Sequence, residues 1–210
     1  MVKSTTKSLI AAGLLSASVM AEAGLSANIG AMSEYYFRGV DYSDGPTMMG
    51  GIDYEADNGL YAGIWAVGET NLADEDIEYD IYGGYAGEAG DFAYSIGYTG
   101  YFYTEAETDY HELNLNVGYS FLNLEVTLGT EDQPSGTAEA DYSFVALTGE
   151  YEGAYLTYGS FGKDYEGDYV ELGYGLTYEG LDMNVAYINP DDDLGGSNTV
   201  AFSISKTFDF

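Results

Sequence analysis

The charges of this 210-residue chain are far out of balance, and its chemistry must lie there. Thirty-six Asp and Glu stand against five Lys and Arg, a formal net charge of −31. Beyond residue 23 the only bases are Arg38, Lys163 and Lys206. Glu34, Asp53, Glu78, Asp80, Glu112, Glu125, Glu171 and Asp182 fall on the polar side of alternating apolar and polar residues, and Arg38 and Asn114 do the same. Acids gathered on one face can line a watery passage and concentrate cations in it. Arg38 would then be a constriction residue or a latch to these acids. The alternative is that it only offsets buried acids. Nucleic acid is excluded as a partner, because its phosphates need Lys and Arg.

Catalytic chemistry has little to build on. The chain has one His, His111, and it sits at a strand end on the apolar side of the alternation. A hydrolase needs a nucleophile, a base and an orienting group, and no G-x-S-x-G block surrounds any Ser. We expect no enzyme, no catalytic residue and no cofactor. Asp191, Asp192 and Asp193, like Asp74, Glu75 and Asp76, offer hard oxygens to a divalent cation. They lack EF-hand spacing, so solvated loop charge is the expected reading and no metal site is assigned.

The elements that position these residues are strands. The last twelve residues, 199–210, alternate strictly: Val200, Phe202, Ile204, Phe208 and Phe210 share one parity and polar residues hold the other. Lys206 breaks the apolar parity near the strand end, where a long side chain reaches headgroups. This segment resembles the C-terminal signal strand of bacterial outer-membrane barrels, which implies recognition by the barrel-assembly machinery. Similar segments span 25–39, 47–54, 60–69, 77–86, 92–103, 110–120, 122–130, 142–151, 154–161, 169–178 and 181–189, for twelve strands in all. The facing of 60–69, 142–151 and 154–161 is ambiguous.

Connections alternate between short turns and longer, acidic loops, and in the clear strands carboxylates avoid the apolar parity. Both features fit a membrane barrel with all long loops on one side. Strands of about 9–11 residues cross the apolar slab when tilted, and closure satisfies the backbone. A soluble barrel or sandwich would need its apolar parity inside, with room for 23 Tyr. The excess of Gly and Tyr suits a tightly curling sheet with aromatic belts. Inward Tyr82, Tyr101 and Tyr103 could occlude the lumen.

Lys3 and Lys7, the small-apolar run 9–20 and Ala21-Glu22-Ala23 have the form of a secretory signal peptide cleaved near Ala23. The barrel domain is then 24–210. With no Cys, the fold does not depend on disulfides.

Three blocks, LSANIGAMSEYYFRGVDYSDG (25–45), GGIDYEADNGLYAGIWA (50–66) and EYDIYGGYAGEAGDFAYSIGY (78–98), resemble the TorF-like porins, a Gram-negative family of unknown function. Tyr35-Tyr36-Phe37-Arg38-Gly39 is the most specific part. The resemblance implies an outer-membrane pore and supplies no catalytic motif.

The expectation is therefore an all-β, single antiparallel transmembrane barrel of about twelve strands in the bacterial outer membrane. It would be porin-like, passing small cationic or neutral solutes with a cation preference, in contact with outer-membrane lipid and lipopolysaccharide. The alternatives are a non-conducting structural or adhesive barrel, or a lipid-modifying enzyme.

Overall fold

The computed structural model describes residues 24–43, 45–69, 76–132 and 139–210. The signal segment, most of the acidic loop at 72–76 and Pro134-Ser135-Gly136 lie outside the described residues. The elements are β1 (Gly24–Met32), β2 (Tyr36–Phe37), β3 (Val40–Asp41), β4 (Thr47–Glu55), β5 (Leu60–Glu69), β6 (Asp76–Ala89), β7 (Phe92–Tyr103), β8 (Asp109–Tyr119), β9 (Leu122–Asp132), β10 (Ala140–Tyr151), β11 (Ala154–Lys163), β12 (Asp168–Tyr178), β13 (Leu181–Pro190) and β14 (Thr199–Asp209), with a single 3-10 turn at Asp192–Leu194. Consecutive long strands pair antiparallel, and β1 pairs with β14 to close a barrel. The ring has twelve strands; β2 and β3 form a separate hairpin.

Turn chemistry sets one end of the barrel. At Glu152-Gly153 φ is 50° and 85°, and at Glu179-Gly180 it is 51° and 75°. Two left-handed residues in a row make the type I′ turn, whose twist matches the strands it joins. These turns and both ends of the barrel sheet share one rim, the turn end; the longer connections share the other, the loop end.

The outside is apolar. Ile29, Ile52, Ile64, Ile96, Leu115, Leu156, Leu172 and Phe202 are all exposed. A continuous band of this kind suits lipid, not water. Among the described strand residues, outward charges stay near strand ends: Asp109, Asp132, Asp141, Asp168 and Lys206.

The structure corrects the first strand. β1 ends at Met32 and does not run to Gly39. Ser33 ends it by donating its N–H to the Phe202 carbonyl at 2.8 Å while its hydroxyl accepts from the Phe202 N–H at 2.9 Å. The chain then turns into the barrel. Tyr35 and Phe37, whose parity pointed toward lipid, lie inside, with Tyr35 2% exposed. Asp76 is likewise not loop charge but the first residue of β6.

The structure also settles the ambiguous strands. Trp65 and Val67 on β5 point inward and pack with Tyr35. Tyr142, Phe144, Ala146 and Thr148 on β10 are buried, while Val145 and Leu147 are exposed.

The Gly and Tyr excess has a second cause besides belts. Tyr82 lies directly across from Gly63 and Tyr61 from Gly84; Tyr142 faces Gly129, Tyr169 faces Gly159 and Tyr155 faces Gly173. A Cβ built on Gly129 would come within 2.1 Å of the Tyr142 ring, and one on Gly173 within 2.1 Å of the Tyr155 ring. Each ring lies flat on the inner wall over a glycine. Rings can therefore be packed into a narrow lumen without reaching its axis.

Burial divides the interior. Toward the loop end, Trp65, Glu78, Thr99, Tyr101, Glu112, Thr127 and Phe144 are all buried. Toward the turn end, inward Ser26, Asp53, Tyr61, Asn116, Glu150 and Asp182 are only partly buried. The loop half is the more closely packed, although Ser95, Thr148, Tyr155 and Thr157 are buried toward the turn end as well.

Candidate functional site: a hairpin latched across the lumen

The loop half is built around residues 33–43. Tyr36 pairs with Asp41 and Phe37 with Val40. Arg38 and Gly39 make the turn, with φ of 49° and 84°, again the I′ geometry. Only glycine fits at the second position: besides its φ, an added Cβ would meet the Tyr169 side chain at 2.8 Å. Ser43 locks the base of the hairpin, accepting from the Tyr35 N–H at 2.6 Å and donating to the Gly45 carbonyl at 3.1 Å. The Tyr42 N–H donates to the Tyr35 carbonyl at 2.8 Å. The hairpin is a rigid unit that carries Arg38 at its tip.

The tip crosses the lumen. β9 stands six strands from β1 in either direction around the ring, and Arg38 reaches it. Its guanidinium donates to Glu112 on β8 at 2.5 and 3.2 Å, and to Glu125 and Thr127 on β9 at 2.7 and 3.1 Å. The fork thus binds Glu112 through both carboxylate oxygens, the strong form of this pair. Phe37 and Phe144 flank the guanidinium with ring centroids 4.6 and 4.3 Å from its carbon, near enough for cation–π attraction. Tyr101 and Tyr142 add hydroxyl donors to Glu112, each at 2.8 Å. Thr127 donates to Asn114 at 2.7 Å, and Asn114 donates to Thr99 at 3.2 Å. Glu112 is 1% exposed and Thr127 0%, so no water-sized space adjoins them.

A second contact ties the hairpin to β6, on the wall midway between β1 and β9. The Tyr35 hydroxyl donates to Glu78 at 2.7 Å, and Tyr103 donates to the other oxygen at 2.7 Å. Burial, and then the Glu78 charge, hold the Tyr35 hydroxyl well above its ordinary pKa. It stays a donor at any working pH. Tyr36, near Asp41, is pushed up to about 12 by burial and that charge.

The remaining acids are placed as the alternation implied, on the inner wall, but most have tyrosine or threonine donors. Asp53 accepts from Tyr82 and from Asn28 at 3.4 Å. Glu171 accepts from Tyr155 at 2.6 Å and Asp182 from Thr177 at 2.6 Å. Asp80, across from Trp65 on β5 and Tyr101 on β7, is buried. Glu34 belongs to the inserted segment, not to a barrel strand, and accepts from Thr199 at 3.1 Å. Arg38, likewise off the wall, is the residue that brings Glu112, Glu125 and Thr127 together. Sequence reasoning did not find Phe144, Tyr142 or Thr127. The Arg-Gly pair between two short apolar segments is the available signal for a turn, but it also continues the alternation of β1, which masks it.

The other candidates have structural duties. The Asp76 carboxylate accepts from the N–H groups of Ile77, Thr104, Glu105 and Ala106 and from the Thr104 hydroxyl, at 2.6 to 3.1 Å. Asp191 caps the 3-10 turn and also accepts from the Asp168 N–H at 2.8 Å. His111 faces outward, with Nδ1 2.6 Å from the Tyr98 hydroxyl and Nε2 3.3 Å from Asp132. In the loop at 164–167, Tyr165 is raised above its ordinary pKa by burial and by its hydrogen bond to Glu131.

A family model described as "Bacterial protein of unknown function (Gcw_chp)" matches residues 16–208. The chain belongs to this family. No curated protein matches the Gcw_chp chain. Solved structures do match it in fold. A membrane-protein structure from work on the mechanism behind in-meso crystallization has a TM-score of 0.58 at 11% identity, covering 89% of this chain and 83% of its own. The outer-membrane protein OpdK of Pseudomonas aeruginosa has a TM-score of 0.43 at 12% identity, covering 80% of this chain and 58% of its own. OccK2 of the same organism, solved with glucuronate, has a TM-score of 0.46 at 13% identity, covering 89% and 67%. The Gcw_chp chain thus spans less than two thirds of the length of OpdK.

Proposed function

We propose that this Gcw_chp protein is a porin-like channel of the bacterial outer membrane, held closed by the Arg38 hairpin and preferring cations when the hairpin withdraws. The observation that carries the reading is the hairpin itself. A tip that crosses the whole lumen to bind Glu112 and Glu125 is an arrangement for closing a passage. The apolar outer band and the fold likeness to a membrane protein support the location. The likeness of 25–45, 50–66 and 78–98 to the TorF-like porins supports the role. Cation preference is supported by inner-wall acids that meet a single arginine. Small cationic or neutral solutes would pass, lipopolysaccharide and outer-membrane lipid would surround the barrel, and β14 would present it to the assembly machinery. His111, engaged by Tyr98 and Asp132, favours a channel over a lipid-modifying enzyme.

The test is conductance of the refolded protein in planar bilayers. Removing one partner of a buried ion pair costs about 3 kcal/mol or more, so Arg38→Ala should raise the open-to-closed ratio roughly a hundredfold. A KCl gradient should give a reversal potential of cation sign, reduced by Asp53→Asn with Asp182→Asn. The packed loop half favours a second reading, a non-conducting structural or adhesive barrel. A variant lacking Arg38 that is as silent as the parent protein would establish that reading instead.

A further inference from the structure

We infer that the pocket formed by Glu112, Glu125, Thr127 and Phe144 is a guanidinium-binding site, which Arg38 occupies in cis as a tethered ligand. The wall would recognise a guanidinium whoever supplied it. Glu112 offers two oxygens to the fork, Glu125 and Thr127 take the remaining edge, and Phe144 covers one face. This is the recognition that favours a planar, delocalised cation over a compact ammonium, which has no coplanar pair of donors to match the two oxygens of Glu112. Tyr101 and Tyr142 hold Glu112 in place from behind, so the carboxylate is positioned without the arginine. The pocket also has a way in. The Glu112 side chain is 1% exposed but that of Glu125, on the side toward the turn end, is 26% exposed. A free guanidinium compound could meet Glu125 first and then take the fork site from Arg38. The inferred solute class is small molecules carrying a guanidinium group. That solute part rests on the channel reading above, whereas the binding site itself does not.

The experiment is chemical rescue of Arg38→Ala, refolded into phosphatidylcholine vesicles, with guanidinium chloride as the probe. At about 10 mM, far below denaturing molar levels, guanidinium should raise the thermal midpoint of the variant saturably, by about 5 °C once it is some tenfold above its dissociation constant. Sodium and methylammonium should do much less. The parent protein, already filled, should not respond, and neither should Arg38→Ala with Glu112→Gln. Should Arg38→Ala fail to fold unaided, the folded fraction recovered with guanidinium replaces the midpoint, and recovery specific to guanidinium supports the site. A variant that guanidinium stabilises or refolds no better than sodium and methylammonium overturns it. Rescue in a barrel that never conducts refutes the channel and leaves the binding site standing.

Discussion

If the inner wall is built from tyrosines laid over glycines, then placing a methyl group under one ring should be costly in a way that a methyl group elsewhere is not. Gly129→Ala is the sharpest case. Its Cβ would stand 2.1 Å from the Tyr142 ring, which must move. The ring has nowhere easy to go: Tyr142 is 4% exposed, stacks on Tyr165 at 5.0 Å and 9°, and donates to Glu112. Displacing it forfeits a hydrogen bond to a carboxylate, about 1.5–3 kcal/mol, and adds overpacking strain of about 1–3 kcal/mol. A total near 3 kcal/mol is expected after partial relaxation. Gly118→Ala is the control, since a Cβ there meets its nearest atoms at 3.8 Å, ordinary contact. Urea unfolding of the refolded barrel, followed by tryptophan fluorescence, would measure both. Combined with Tyr142→Ala, most of the Gly129→Ala cost should vanish, because the obstruction is gone. Equal midpoints for Gly129→Ala and Gly118→Ala, or full additivity with Tyr142→Ala, would refute the reasoning.

Two further outcomes are expected. Asp76→Asn should cost about 1.5–3 kcal/mol through weakened charge-assisted bonds and speed amide exchange at Thr104, Glu105 and Ala106, the groups that its carboxylate holds; unchanged exchange there would show that the loop is held by other contacts. A protease site inserted at 133–138, between β9 and β10, should be cut in intact cells, whereas one at Glu152-Gly153 should not; the opposite pattern would invert the barrel in its membrane.

The wall was more legible than what fills it. Alternation in Glu112–Leu113–Asn114–Leu115 or Val170–Glu171–Leu172 reports one property, which face meets lipid, and in a barrel that property is the same for every strand. Hence the sequence-based strands and the β-sheet register differ mostly at their ends, as at β6, which begins at Asp76 and runs on to Ala89. Alternation is silent where both faces are apolar, and this explains β5 and β10: Trp65, Val67 and Phe144 face inward because a hairpin packs on them, and that hairpin comes from elsewhere in the chain. The same residues made the first strand look too long. Tyr35, Phe37 and Arg38 keep the parity of β1 while belonging to a different element. Their alternation belongs to the inserted hairpin, in which Tyr35 precedes β2, Phe37 ends it and Arg38 opens the turn. The pairing of Arg38 with Glu112 and Glu125, 74 and 87 residues away, could be imagined from charge alone but not located.

The acids inside the barrel raise a question that the hairpin alone does not answer. A buried carboxylate without compensation is expensive, and a single arginine does not reach all of them. The wall resolves this with hydroxyls. Glu78 is held by Tyr35 and Tyr103, Glu112 by Tyr101 and Tyr142 as well as Arg38, Asp53 by Tyr82 and Glu171 by Tyr155. Hydrogen bonds from neutral donors favour the charged carboxylate but, unlike a lysine or arginine ladder, leave its charge in place. A wall stabilised this way needs no ladder of bases. Arg38 places a positive charge among these acids, and it is carried on a hairpin instead of a strand. On the channel reading proposed above, withdrawing the hairpin would widen the passage and remove that positive charge at the same point, so that gating and cation preference would arise from one movement.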